Sequence, residues 1–149
     1  MAMRKLFLAL LLVFATSCGE VPTTLRVENG TPVKIFLSGS SSLGRLVIRG
    51  PKKFRESIGP DYSAYWYIET GGSGARSISR MSPIEYGLLP TGYKQVYPEK
   101  GIAPPLTDEG IYYVQIDTHN APGTSGYFVI RNGKFQFAKD ESELPKDFP

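Results

Sequence analysis

Residues 110–117 read GIYYVQID, and this stretch decides the fold class. Its alternation puts Tyr112, Val114 and Ile116 on one face, which is the two-residue period of a β-strand. The loop at 118–126, THNAPGTSG, is rich in turn-forming residues and leads into YFVIRN, with Phe128 and Ile130 as the expected inward positions. The sequence therefore predicts an antiparallel hairpin in this part of the chain.

Two Asn-Gly pairs predict further hairpins, because both residues of a tight two-residue turn must tolerate positive φ. Asn132-Gly133 leads into the alternating stretch KFQF. Asn29-Gly30 joins two earlier alternating stretches, whose expected inward positions are Leu25, Val27, Val33, Ile35 and Leu37.

A further strand is predicted in YSAYWYIET, residues 62–70, with Trp66 inward and Tyr65 and Tyr67 outward. The sequence contains no segment of useful length with a helical period. Many short strands separated by turn signals are typical of an antiparallel sandwich. We therefore expect an all-β sandwich over residues 25–138, followed by a charged tail at 139–149 that frays.

The stretch LTDEGIYYV, residues 106–114, resembles the tyrosine corner of immunoglobulin-like domains, D-x-G-x-Y-x-C. Asp108, Gly110 and Tyr112 match the motif, and Val114 stands in the cysteine position. The resemblance implies that the Tyr112 hydroxyl bonds back to the backbone and that Trp66 is a buried core tryptophan. It implies an immunoglobulin-like or related sandwich topology and says little about activity, since such folds host many functions.

The chain opens with MAMRKLFLALLLVFATSCGE, in which a basic start precedes ten apolar residues, Leu6 to Ala15. About 20 apolar residues are needed to span a bilayer, so this run suits the core of a signal peptide instead. The small residues before Cys18 resemble the lipobox-type signal peptide of bacterial lipoproteins. The resemblance implies a signal peptide at 1–17, acylation of Cys18 and a tether at 18–24.

That resemblance implies a membrane-anchored protein of the cell envelope, routed to the outer membrane if the organism is Gram-negative, because Gly19 rather than Asp follows the cysteine. The alternative is an ordinary secretory signal that leaves Cys18 as a free thiol. The run IEYGLLPTGYKQVYPEKGIAPPL is also similar to stretches in an uncharacterised lipoprotein family, and it implies no known chemistry.

Charge gives no reason to expect a nucleic-acid partner. The sequence has 17 Lys and Arg against 14 Asp and Glu. Loss of Arg4 and Lys5 with the signal peptide leaves a nearly balanced mature chain. Its one cysteine cannot form an internal disulfide, so stability must come from apolar burial and sheet hydrogen bonds.

Asp117 and His119 are the only pair that suggests catalysis or metal binding, because a strand places residues i and i+2 on one face. A small envelope hydrolase or metal-dependent enzyme is therefore one alternative. A metal site needs further ligands and a triad needs a positioned nucleophile, and the sequence shows neither. A polar hairpin loop is the simpler interpretation, and we expect no cofactor.

Tyrosines on predicted outward faces are the main candidates for a binding surface. Tyr65, Tyr67, Tyr113 and Tyr127, together with His119 in the 118–125 loop, form this candidate set. Aromatic rings on a sheet stack on sugars or anchor protein partners, so a carbohydrate-binding module is a second alternative. The favoured hypothesis is a lipid-anchored envelope protein with a non-catalytic sandwich for binding or assembly, whose partner is an envelope protein or glycan.

Overall fold

The computed structural model describes residues 20–52, 64–71 and 74–145. The signal peptide and Cys18 therefore lie outside the described residues. The strands of the described part are β1 Thr24–Glu28, β2 Lys34–Ser38, β3 Leu43–Lys52, β4 Ala64–Thr70, β5 Ile84–Glu85, β6 Tyr93–Tyr97, β7 Gly110–Thr118, β8 Thr124–Arg131 and β9 Lys134–Ala138. One helical turn at Ile78–Met81 and a 3-10 turn at Glu141–Glu143 accompany them.

The strands form two antiparallel sheets that pack together, which confirms the predicted all-β sandwich. One sheet has the order β1-β2-β5, and the other has the order β6-β4-β3-β7-β8-β9. The run β4-β3-β7-β8 has the C′-C-F-G order of immunoglobulin-like domains, and β6 and β9 extend it at both edges. None of the helical turns in the described part of the chain has the length and apolar character needed to cross a bilayer.

The core lies between the sheets and follows the alternation of the sequence. From the small sheet it receives Val27, Ile35 and Leu37, and from the large sheet Leu46, Ile48, Trp66, Ile68, Tyr112, Val114, Ile116 and Phe128. Trp66 is fully buried, and its indole N–H donates to Gln95 Oε1 at 3.1 Å. It lies on β4, whereas the core tryptophan of immunoglobulin-like domains lies on the strand equivalent to β3.

Tyr112 has the contacts that its motif implies. Its hydroxyl oxygen accepts the backbone N–H of Thr107 at 2.7 Å, and its ring stacks on Phe128 with centroids 4.9 Å apart. A Cβ at Gly110 would lie 2.8 Å from this ring, so glycine makes room for it. Asp108 accepts the N–H of Gly133 at 3.4 Å and links the corner to the β8–β9 turn.

Both Asn-Gly pairs lie between paired antiparallel strands, as predicted, but the two connections differ in length. Asn132 and Gly133 both have positive φ, 50° and 67°, and form the expected two-residue turn between β8 and β9. β1 and β2 form the predicted hairpin around Asn29-Gly30, but a five-residue loop, 29–33, joins them instead of a two-residue turn. Pro32 has no N–H to give to a strand ladder, so the pairing stops before it.

Residues 139–145 of the predicted tail lie against the sandwich. Leu144 is buried and packs with Ile111, Val129 and Ala138 on the outer face of the large sheet. The Glu141–Glu143 turn brings this leucine back over the sheet. Burial of this side chain favours the position of the segment, because it removes apolar surface from water.

We expect Tyr112→Phe to lower the free energy of unfolding by about 1–2 kcal/mol, because the part-buried N–H of Thr107 loses its acceptor. Tyr113→Phe is the matched control, since Tyr113 lies on the outward face of the same strand. Urea denaturation of both variants measures the difference. Equal stability of the two would contradict a structural role for the Tyr112 hydroxyl.

Candidate functional site

One end of the sandwich carries an open apolar groove of about 750 Å³, a size typical of ligand sites. Four parts of the chain line it: the β1–β2 loop, the residues after β5, the connection before β7, and Ile130 on β8. Its lining residues are Asn29, Gly30, Thr31, Pro32, Val33, Tyr86, Gly87, Leu88, Ile102, Ala103, Pro105, Leu106 and Ile130. We refer to it below as the apolar groove.

The floor of the groove is fixed by Tyr86. Its N–H donates to the Val33 carbonyl at 2.9 Å, which ties it to the β1–β2 loop. Its ring packs edge-on against Trp66, with centroids 5.3 Å apart. Its hydroxyl donates to the Pro104 carbonyl at 2.6 Å, and burial raises the pKa of Tyr86, which keeps the phenol protonated as a donor.

The Tyr65 side chain does not face outward as predicted. It holds Pro105, which follows Pro104 in the groove wall. Its hydroxyl donates to the Pro105 carbonyl at 2.8 Å, and its ring lies 5.5 Å from the Tyr112 ring. The cause is an irregularity in the β3–β4 pairing, where Ile48 pairs with Trp66 but Arg49 pairs with Ala64. Tyr65 is the extra residue at this bulge, so its side chain leaves the expected alternation.

The outer part of the groove consists of exposed apolar side chains. Leu88 is 57% exposed and Ile102 is 85% exposed, and neighbouring Leu89 is 50% exposed. A cluster of such residues beside a formed groove is typical of an interaction site, whereas single exposed apolar residues are ordinary. Our sequence reasoning missed all three. The available signal was apolar residues inside the Gly- and Pro-rich stretches GLLP and GIAPPL, where strand burial does not account for them.

A second surface, a shallow polar trough on the outer face of the large sheet, brings together Tyr67, Asp117 and His119 from the predicted set. Arg45 forms an ion pair with Asp117, and Gln115 donates to the same carboxylate at 3.3 Å. A cation and an amide therefore hold the Asp117 carboxylate. The His119 side chain is exposed, and its backbone N–H donates to the Ser42 carbonyl.

This trough does not supply the ligand set that a metal enzyme needs. Among the described residues there is no group of three His, Cys, Asp or Glu side chains placed to hold a metal ion. Asp117 is bound by Arg45, so its carboxylate orients a guanidinium and not the His119 ring. Arg45 reaches Asp117 because β3 pairs with β7 and places the two residues opposite each other.

Glu69 and Tyr67 form the other half of the trough. The Tyr67 hydroxyl donates to Glu69 Oε2 at 2.5 Å, and Lys94 lies 2.9 Å from Glu69 Oε1. The Tyr67 hydrogen bond, followed by that from Lys94, lowers the pKa of Glu69. The same bond raises the pKa of Tyr67.

The remaining predicted tyrosines form a separate pair on the outer face. The rings of Tyr113 and Tyr127 lie 5.1 Å apart at 48°. Tyr127 also packs against the cluster that contains Leu144. Because Tyr65 belongs to the groove wall and Tyr127 to this cluster, the predicted tyrosines do not form one flat platform.

No family model matches the chain, and no curated protein or solved structure is significantly similar to it. The class defined by fold and site is an antiparallel β-sandwich with an apolar groove at one end. Its function must therefore be argued from the groove itself.

We expect Tyr67→Phe and Lys94→Ala each to raise the pKa of Glu69 toward its ordinary value, because the Tyr67 hydrogen bond and then the Lys94 hydrogen bond and charge lower it. The depressed pKa means that this carboxylate stabilises the folded state above its unfolded pKa. The stabilisation is lost as pH falls through the lower, folded value.

Titration of the Glu69 carboxyl by NMR measures these pKa values. Tyr97→Phe, a change of an exposed tyrosine on β6, is the control and should leave the Glu69 pKa unchanged. An unchanged Glu69 pKa in both Tyr67→Phe and Lys94→Ala would contradict the assigned causes.

Proposed function

We propose that this protein is a lipid-anchored, non-catalytic envelope protein whose apolar groove binds a segment of a partner protein. The observation that carries the proposal is the formed groove with Leu88 and Ile102 exposed beside it. Burial of a large apolar side chain against a partner contributes roughly 1.5–3 kcal/mol. Two such residues beside one groove therefore supply a substantial part of a binding free energy.

The composition of the groove favours binding over catalysis. Among its described lining residues, Tyr86 alone is ionisable, and that phenol is engaged by the Pro104 carbonyl. Acid–base and nucleophilic mechanisms need titratable groups within reach of a substrate. The lining favours a ligand that presents apolar side chains.

The same composition favours a protein over a glycan. Sugars are held by a dense set of polar groups together with an exposed aromatic face. Here the one aromatic ring of the lining, Tyr86, is buried against Trp66. An open groove whose outer wall is an 85% exposed isoleucine is suited to an extended protein segment, which buries such walls as it docks.

The anchor is supported by the sequence pattern around Cys18. A basic start, an apolar run too short to span a bilayer and small residues before the cysteine fit a lipidated N-terminus. Each buried CH₂ of an acyl chain contributes about 0.8 kcal/mol, so more than one chain makes the attachment stable. Confinement to a membrane raises the effective concentration of the domain for partners at the same surface.

The anchor is tested by intact mass of the protein extracted from membranes, beside a Cys18→Ala variant. We expect a wild-type mass that lacks residues 1–17 and carries added acyl chains. We expect the variant to leave the membrane fraction. A free thiol at Cys18 in the wild-type protein would contradict the anchor.

The groove is tested by site-specific photocrosslinking from position 102 in cells that express the full chain. We expect a crosslinked protein partner, identified by mass spectrometry, whose yield falls roughly tenfold in a Leu88→Glu variant, because a carboxylate replaces a buried apolar contact. Val96→Glu, a change of an exposed apolar residue on β6 outside the groove, is the matched control. Equal yields in Leu88→Glu and Val96→Glu would exclude the groove as the binding site.

A further inference from the structure

We infer that the apolar groove points away from the anchoring bilayer, and that the opposite, serine-rich end of the sandwich lies against phospholipid headgroups. This inference rests on the proposed anchor at Cys18. It follows from where the chain enters the fold, how short the free tether is, and which loops share that end. It also excludes lipid of the anchoring leaflet as the occupant of the groove.

The chain is fixed to the fold at Val21. Its N–H donates to Ser40 Oγ at 3.0 Å, and the Ser40 N–H donates back to the Val21 carbonyl at 3.4 Å. A Cβ at Gly39 would lie 3.1 Å from the Thr23 Cα, so glycine permits this close approach of two backbones. The tether therefore joins the sandwich three residues before β1 begins.

Two residues, Gly19 and Glu20, separate Cys18 from Val21 in the sequence. An extended chain spans at most about 3.3–3.6 Å per residue, so the acylated cysteine lies within roughly 11 Å of the Val21 backbone. A tether of this length holds the Val21 backbone within about 11 Å of the lipidated residue. The surface around Val21 must lie beside the membrane.

The loops that share this surface are tied together by hydrogen bonds. The Ile78 N–H donates to the Ser41 carbonyl at 3.0 Å, and the Asn120 N–H donates to Ser41 Oγ at 3.1 Å. His119 donates its N–H to the Ser42 carbonyl. We call this surface the anchor end, and it comprises residues 21–23, 38–42, 76–80 and 118–123.

The groove lies at the other end of the strands. β1 leaves the anchor end and finishes at Glu28, next to the 29–33 loop that lines the groove. β7 runs in the opposite sense, from Gly110 near the groove to Thr118 at the anchor end. Nine residues of strand at about 3.4 Å each place these two ends roughly 27 Å apart.

The chemistry of the anchor end suits phospholipid headgroups. It presents serine hydroxyls, the exposed His119 and Asn120, and the exposed cations Arg76 and Arg80. Hydroxyl and guanidinium donors bind phosphate oxygens, and each cation near an anionic surface contributes about 1 kcal/mol. An acyl chain of the anchoring leaflet cannot cover the distance to the groove, so the groove opens toward the aqueous side, where a segment of a partner protein can reach it.

The test places a donor dye at either end of the full, acylated chain, reconstituted in vesicles that contain phosphatidylglycerol and a headgroup-linked acceptor. Asn120→Cys reports on the anchor end and Thr31→Cys on the groove end, and both side chains are exposed. The acylated Cys18 does not compete for labelling. We expect several-fold stronger energy transfer from position 120 than from position 31.

Two variants sharpen this result. A ten-residue Gly/Ser linker inserted after Glu20 should reduce the difference, because the tether then no longer limits the distance of the domain from the bilayer. Arg76→Ala with Arg80→Ala should also reduce it. Lys100→Ala with Lys134→Ala, which removes two exposed cations elsewhere, should not.

Equal transfer from both positions, or stronger transfer from position 31, would overturn the orientation while leaving the anchor intact. Failure of the protein to bind vesicles, with an intact mass that shows unacylated Cys18, would overturn the anchor and the orientation together. The two failures are therefore distinguishable in one preparation.

Discussion

Two consecutive prolines in the connection between β6 and β7 impose the constraint on which both the fold and the groove depend. Pro104 and Pro105 have no N–H, so this stretch cannot be held by a strand ladder. Tyrosine hydroxyls hold it instead: Tyr86 binds the Pro104 carbonyl and Tyr65 binds the Pro105 carbonyl. Two residues further on, the Tyr112 hydroxyl accepts the N–H of Thr107.

These three rings are also core residues, which couples the groove wall to the interior. Tyr86 packs on Trp66, and Tyr65 and Tyr112 pack on each other. The wall is therefore fixed from behind by buried aromatic contacts, while its outer side stays free to meet a ligand. A preformed wall of this kind saves the ordering cost that a flexible loop incurs on binding.

Sequence alternation predicted the strands well because each buried face repeats every second residue. Tyr112, Val114, Ile116 and Phe128 are buried as expected, and Asn132-Gly133 turns as its φ angles require. The outward orientation predicted for Tyr65 was wrong because of a β-bulge. A bulge depends on how two strands pair, and the sequence of one strand does not reveal that pairing.

The site was harder to predict than the fold for a related reason. The groove gathers residues from three connections and from strand β8, which are far apart in sequence, so no local pattern marks it. Some of the residues predicted for catalysis or binding do come together: Tyr67, Asp117 and His119 line the polar trough. Composition alone pointed to tyrosines, whereas the exposed leucine and isoleucine beside the groove needed the tertiary arrangement to be recognised.

The pairing of β1 with β2 has a mechanical consequence. Five residue pairs, from Thr24–Ser38 to Glu28–Lys34, join the strand that enters at Val21 to the rest of the sandwich. A force between Val21 and the groove would act along β1, while the hydrogen bonds of the ladder lie across it. All of these bonds would then share the load and break together rather than one after another, which makes β1 a shear clamp between the two ends of the molecule.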